Sequence, residues 1–425
     1  MTALPRNLLP ANASVDADGR LRIAGLDVLD LAAEFGTPLF VYDEDDLRAR
    51  ARAAVDAFGD GVAFASKSFL CKAMARLAHE EGMCIDVSTA GELHVALAAG
   101  VPAERLVLHG NNKSEEELAR AFDVGVGRII VDSFDEIDRI AVLLDERAGL
   151  RPRVLIRVTP GVEAHTHEFV MTGQEDSKFG FSVASGAAAD AVTRLQALPV
   201  DLVGVHAHIG SQIFRTTGFE QEVAVLGDFV EDMDIDEVCI GGGLGVAYVE
   251  HEEGPTMAQW GTTVKAAAAA AGIAPSVRIT AEPGRAIVAP AAITLYTVGT
   301  VKELPGIRTY VAVDGGMSDN PRPVLYGSGY ETFLPRCVDA ERELIVTLVG
   351  KHCESGDVIV RDGHVPSDIA VGDIVATPVT GAYGYSMASN YNKVPRPAVV
   401  FVKNGAARLV VRRETLDDLL SLDLD

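Results

Sequence analysis

The chain has 425 residues, 48% of them hydrophobic and 23% charged, with a formal net charge of −24. That length and apolar content suffice for a large core and favour more than one domain, and the charge excludes nucleic acid and anionic membrane as natural partners. Five cysteines with no CxxC spacing exclude a disulfide framework, and no apolar leader or membrane-length run is present, so a cytoplasmic location is expected.

Residues 1–36 open with a polar lead, a strand at 21–24, a turn at Gly25 and a short helix at 28–35. Gly36-Thr37-Pro38 then breaks the pattern. A strand follows at 39–42, and a helix at 44–58 carries acidic residues in its first turn, as the helix dipole favours. From Val62 short apolar runs alternate with helical stretches. The runs are 62–66, 84–88, 106–110, 128–133, 154–159, 202–210, 238–243 and 277–282. Helical patterns lie between them, among them 70–79, 90–99, 114–122, 134–144, 187–198 and 219–233. Ser114 with Glu117 has the form of a capping box. Eight strand–helix units in succession predict an α/β fold, a (β/α)₈ barrel of the TIM type, over residues 37–290. After Pro290 the texture changes. Strands at 293–301, 310–313, 344–349, 373–377, 398–402 and 409–412, separated by Gly and Pro turns, predict a β-rich second domain. It is expected to comprise 1–36 plus 291–425.

In such a barrel the chemistry lies at the C-terminal ends of the strands. Those ends read Lys67, Asp86, Asn111, Asp132, Arg157, His208 with Gly210 and Ser211, Gly241-Gly242-Gly243, and Glu282 with Gly284 and Arg285. A lysine closing a buried strand is costly unless its charge is paired. Partly desolvated, such an amine is a nucleophile suited to an aldehyde cofactor; the alternative is a lysine that snorkels out of a strand end. The glycine run offers bare amides to a phosphate, although glycine runs also make ordinary turns. Ser211 adds a hydroxyl, Glu282 suits a protonated ring nitrogen, and His208 either stacks on a flat ring or sits satisfied in the core. Together these groups describe a pyridoxal 5'-phosphate site. His165, His167, His206 and His208 show the H-x-H spacing of metal ligands, but no Cys or carboxylate completes that set, and no metal is expected.

Longer segments carry a resemblance. They are Phe64-Ala65-Ser66-Lys67-Ser68, Asp86-Val87-Ser88, His206-Ala207-His208-Ile209-Gly210-Ser211-Gln212, Glu282-Pro283-Gly284-Arg285, Asn320-Pro321-Arg322-Pro323-Val324-Leu325-Tyr326, Cys353-Glu354-Ser355-Gly356-Asp357 and Gly381-Ala382-Tyr383. On these the chain resembles the diaminopimelate decarboxylase family, fold-type III pyridoxal-phosphate enzymes related to ornithine decarboxylase and alanine racemase. The resemblance implies that Lys67 is the Schiff-base lysine, His208 the ring-stacking residue and Glu282 the pyridinium partner. It implies phosphate ligands at Ser211, Gly243, the Gly284–Arg285 backbone and Tyr383, with Asp86 and Gly242 also at the cofactor. Arg285, Arg322, Tyr326, Glu354 and Tyr383 are implied to bind substrate, and Cys353 to donate the proton.

In that family the Cys-Glu segment enters the site from the second subunit of a homodimer, which implies a shared site here. The implied reaction is decarboxylation of meso-2,6-diaminopimelate to L-lysine and carbon dioxide, the last step of lysine biosynthesis. A carboxylate such as Glu354 suits the distal ammonium of this substrate, and arginines with a tyrosine suit its distal carboxylate. Without its flanking residues Cys353 reads as a small buried residue of a β domain. Phe64 and Ser68-Phe69 depart from the flanks common in the family, and a packing effect is expected. The alternatives are a decarboxylase of another basic amino acid, of the ornithine or arginine type, a catalytically silent partner-binding homologue and a metal hydrolase. The loop 165–178 has the length of a lid.

Overall fold

The computed structural model describes residues 3–162 and 176–424. His165, His167 and most of the expected lid lie outside the described residues. The chain divides into two compact units. One is Arg50–Gly245 with Gly254–Ala286, and the other is Met1–Ala49 with Val246–Glu253 and Ile287–Asp425.

In the first unit all eight expected runs become parallel strands: β1 (Ala63–Ala65), β2 (Cys84–Val87), β3 (Leu106–Leu108), β4 (Arg128–Val131), β5 (Arg153–Thr159), β6 (Asp201–His206), β7 (Glu237–Cys239) and β8 (Arg278–Thr280). Each pairs with its neighbour in sequence order. Ala63 N–H donates to Ala281 O at 3.0 Å and Ala65 N–H to Pro283 O at 3.2 Å, which brings the last strand round to the first. The result is a (β/α)₈ barrel with its strands buried on both faces, which is why they read as continuous apolar runs. Ala63, Cys84, Val107, Ile130, Leu155, Val203 and Cys239, one from each of seven strands, form a single apolar cluster. Several of the helices between strands start on caps that the sequence supplies. Ser114 and Glu117 make the expected capping box, and Thr256 with Gln259 makes a second.

The buried charges at the strand starts are matched among themselves. Glu237 opens β7 with its side chain fully buried. It pairs with Arg128, accepts from Arg278 Nη2 at 3.0 Å and accepts from Thr280 Oγ1 at 2.7 Å. Such a compensated cluster holds the strand starts in register and leaves the opposite, C-terminal ends for chemistry.

The second unit is built on a mixed sheet in which the 13-residue strand Ala292–Leu304 is the longest member. Leu39–Asp43 lies within this sheet, antiparallel to Ala292–Leu304 and parallel to Ala398–Lys403. The division therefore runs at Ala49 and Ile287, not at Thr37 and Pro290, and Val246–Glu253 also belongs to this unit. The physical reason is plain: a short strand buried at every residue reads alike whichever sheet receives it. Val358–Val365 is a further strand that the sequence pattern did not single out; Arg361 and Asp362 interrupt its apolar alternation, and Asp362 has φ +52°. Among the described residues no helix is long and apolar enough to cross a membrane.

Candidate active site

β1 ends at Ala65 and the chain turns at once through a 3₁₀ segment, Ser66–Ser68. Ser66 and Ser68 are buried, and Ser68 Oγ donates to Ala65 O at 2.8 Å. Lys67 stands between them with its side chain exposed. The expected desolvated lysine at a strand end is thus an accessible lysine on a rigid turn, because the turn points it away from the buried strand. The Glu282–Arg285 loop passes directly beside that turn. A Cβ on Gly284 would lie 2.9 Å from Ala65 Cβ, Ala65 O and Ser68 Oγ, so only glycine allows the approach.

Glu282 follows β8 and is buried. His109 Nε2 lies 2.9 Å from its Oε1, and His206 Nε2 lies 3.0 Å from its Oε2. The two imidazoles meet edge to face with centroids 5.0 Å apart. Burial acts to raise the Glu282 carboxyl, yet His109 and His206 outweigh it and hold the group well below the usual carboxylate range. Burial pushes His206 down to about 4, so that ring is neutral at neutral pH and holds the carboxylate by a hydrogen bond. Asp86 Oδ1 stands 3.8 Å from the same His109 Nε2, and burial pushes its carboxyl up to about 6. A charged, buried, fixed carboxylate is what a cationic ring nitrogen needs as a partner.

His109 and His206 were not among the residues singled out for this role. The strand-end pattern pointed to Asn111, whereas the histidine just beyond β3 makes the contact. His206 and His208 are two apart at the exit of β6, and that spacing was the available signal. His109, His206 and Glu282 also bring their ligand atoms within 4.8 Å of one another. This is a different set from the histidines that the H-x-H spacing suggested, and its carboxylate already accepts two hydrogen bonds. Asp132 and Arg157, also at strand ends, pair with each other at 3.5 Å, and Asp132 accepts from Gly180 N–H at 2.8 Å. They brace the segment after β5.

The glycine run after β7 is bonded to the loop after His208. Ile213 N–H donates to Gly243 O at 2.9 Å, and Gly245 N–H donates to Ile213 O at 3.0 Å. Gly243 has φ +112°, and a Cβ there would fall 2.2 Å from Gly210 O. Gly242 N–H donates to His208 Nδ1 at 3.2 Å, which fixes the plane of that imidazole. Burial first, then the charges of Lys67 and Arg157, push His208 well below the ordinary histidine value. The ring is neutral and presents a flat face. Arg285 Nη2 donates to Ser211 Oγ at 2.9 Å, joining two expected site residues. An accessible lysine, a fixed carboxylate, a neutral ring and a cradle that a Cβ would fill match the aldehyde, ring nitrogen, ring face and phosphate of pyridoxal 5'-phosphate.

In the second unit Arg322 is buried at the start of the helix Arg322–Tyr326. Its guanidinium lies 4.1 Å from the Tyr248 ring centroid and hydrogen-bonds Tyr330 Oη. Its Nε finds no acceptor among the described residues, which suits it to an anion. Tyr383 has φ +58°, a strained conformation for a bulky residue that costs about 1–3 kcal/mol and is typical of ligand clamps. Tyr326 is half-buried. Cys353 and Glu354 are exposed, on the loop between the strands Leu344–Val349 and Val358–Val365.

The model of the pyridoxal-binding domain of pyridoxal-dependent decarboxylases matches residues 44–289. A diaminopimelate decarboxylase of Mycobacterium tuberculosis is 51% identical to this chain, across 99% of this chain and 98% of the relative. The chain belongs to the diaminopimelate decarboxylase family. A Bacillus subtilis member of the family is 48% identical, across 96% of this chain and 95% of its own length. The crystal structure of the M. jannaschii diaminopimelate decarboxylase in complex with L-lysine superposes with a TM-score of 0.90 at 33% identity, across 98% of each chain. Membership of this family makes the protein a decarboxylase, a carbon–carbon lyase, and makes pyridoxal 5'-phosphate its cofactor.

Proposed function

We propose that the protein removes carbon dioxide from meso-2,6-diaminopimelate to give L-lysine. The observation that carries this reading is Glu282, buried and charged with an imidazole on each oxygen. Pyridoxal phosphate, when bound, accepts the electron pair that the departing carbon dioxide leaves behind. Glu282 would hold a proton on the ring nitrogen of that cofactor. His109 and His206 hold the carboxylate in place, so it needs no reorganisation during the reaction. His208 would stack on the cofactor ring, and Ser211, Gly242, Gly243, Gly284 and Arg285 would hold its phosphate; the resemblance assigns Tyr383 to the same phosphate. Asp86 stands beside His109 at the rim of the same site. Lys67 would hold the cofactor through its ε-amine and release it to the substrate amine.

By the resemblance, Glu354 would take the distal ammonium of the substrate, and Arg285, Arg322, Tyr326 and Tyr383 would take its carboxylate and walls. Cys353 delivers the proton that replaces carbon dioxide. Its exposure supports a role toward a second copy of the chain, with a homodimer sharing each site between subunits. The five free cysteines accord with a cytoplasmic enzyme.

Purified protein loaded with pyridoxal phosphate and offered meso-diaminopimelate, ornithine, arginine or lysine separates these readings. L-lysine formed from meso-diaminopimelate, with the other amino acids left intact, is the expected result. Turnover of ornithine or arginine alone contradicts the substrate assignment. The same assay on mixed Lys67→Ala and Cys353→Ala chains tests the shared site. Each variant alone is inactive, and random reassortment restores about a quarter of the wild-type rate. A mixture as inactive as its components contradicts the shared site.

A further inference from the structure

The loop that carries Cys353 and Glu354 is exposed at 353–356 but bounded by two buried polar residues, His352 and Asp357. Each of them reaches across to one neighbouring segment, 315–320, which leads directly into Arg322. Asp357 is nearly inaccessible and accepts twice. Met317 N–H donates to its Oδ1 at 2.6 Å, and His352 N–H donates to its Oδ2 at 2.9 Å. His352 Nε2 hydrogen-bonds Ser318 Oγ at 2.9 Å, and its ring packs on Tyr391 with centroids 5.4 Å apart. Lys351 N–H donates to Gly315 O at 3.0 Å. A Cβ on Gly350 would fall 2.2 Å from Asp357 Oδ2 and 2.5 Å from Gly316 Cα, so the two segments touch backbone to backbone. On the other flank Cys353 N–H donates to Asn392 Oδ1 at 3.0 Å, and Asn392 has φ +52°, which asparagine tolerates better than most residues.

We propose that His352 is a positioning residue: through Ser318 it locks the Cys353–Glu354 loop to the 315–320 segment of its own chain, so that the thiol and the carboxylate are presented to the partner's site as one rigid piece. The catalytic part of this inference rests on Cys353 as the proton donor; the clamp itself does not. The logic is one of register. Four successive exposed residues on a hairpin loop have few contacts of their own, and an unrestrained loop would scatter the thiol by more than the sub-ångström tolerance of proton delivery. His352 supplies the restraint because its imidazole is buried and polar at once, and the hydroxyl it meets lies four residues before Arg322. Phenylalanine keeps the ring and its packing on Tyr391 but loses the bond. Glutamine places an amide nitrogen near the position of Nε2 and restores the bond.

The test uses the full-length holoenzyme in four forms, His352→Phe, His352→Gln, Ser318→Ala and the His352→Phe/Ser318→Ala double variant. Two measurements are made on each: kcat and KM for meso-diaminopimelate, and hydrogen–deuterium exchange of the peptide covering 350–357. His352→Phe and Ser318→Ala are each expected to lower kcat about tenfold and to speed exchange of that peptide about tenfold. The double variant is expected to be no worse than either single one, as for two residues sharing one interaction. His352→Gln is expected to return to within about twofold of wild type. The absorbance of the bound cofactor is expected to stay unchanged throughout. Unchanged exchange in His352→Phe overturns the clamp, as does full additivity of the two single losses or failure of glutamine to rescue. Faster exchange with undiminished kcat, together with full turnover in Cys353→Ala, overturns the role of Cys353 and with it the catalytic purpose of the clamp.

Discussion

Replacing Lys67 with alanine is expected to lower turnover by about 10⁴-fold or more and to abolish the yellow absorbance of the cofactor-loaded enzyme. The size of the effect follows from the number of tasks at one nitrogen. In the proposed function the amine would carry the cofactor, give it up to the substrate and stand beside the atoms that later exchange a proton. None of the neighbouring groups replaces it. Asp86 and His206 are buried, His208 is half-buried, and none of them is a primary amine. The fold is expected to survive, because the turn that presents Lys67 is held by Ser66 and Ser68 and by the close passage of Gly284, not by the lysine side chain. The absorption spectrum after loading with pyridoxal phosphate, read beside a thermal melt, checks this. A yellow Lys67→Ala enzyme with measurable turnover contradicts the assignment.

Replacing Glu282 with glutamine is expected to cost about 10²–10³-fold in kcat, or about 2.7–4 kcal/mol of barrier. The variant keeps the shape and removes the charge. His109 Nε2 and His206 Nε2 each face a carboxylate oxygen now, at 2.9 and 3.0 Å. A glutamine has one oxygen to offer them and must turn its amide nitrogen toward the other. One imidazole then loses its acceptor or changes tautomer, and the ring nitrogen of the cofactor loses its anionic partner. The consequence extends to pH. The folded-state value of Glu282 is depressed, so the stability it contributes is complete above the ordinary glutamate range, near pH 4.3, and is lost only as the pH falls through the lower folded value. The wild type therefore keeps this contribution at about pH 5, and the variant lacks it at every pH above that range. Steady-state kinetics and denaturant melts from about pH 5 to pH 8 check both statements. A Glu282→Gln enzyme within a few-fold of wild type at neutral pH contradicts the role given to the carboxylate.

The barrel was legible because its strands are short, apolar and regularly followed by a helical pattern, in several cases with its own cap. Where a strand belongs was less legible. Leu39–Asp43 has no feature that tells a barrel strand from a strand of the neighbouring sheet, since either environment buries all of it. In the site, the residues that interact with a ligand by type of chemistry stood out, as with Lys67, Glu282 and the glycine run. The residues that act on other residues did not. His109 is separated from Glu282 by 173 positions in sequence, and no local pattern announces a contact of that kind. The same holds for His352 and Ser318, which meet only because two loops of one sheet cross. Lys67 differed in the opposite sense. Its place after an apolar run suggested burial, and the intervening turn exposes it instead.

The most direct test is chemical. The enzyme loaded with pyridoxal phosphate is reduced with borohydride, digested and mapped by mass spectrometry. A single pyridoxyl label on the ε-amine of Lys67 is the result this account predicts. A label on any other lysine, or an unlabelled peptide around Lys67 in an active preparation, contradicts it.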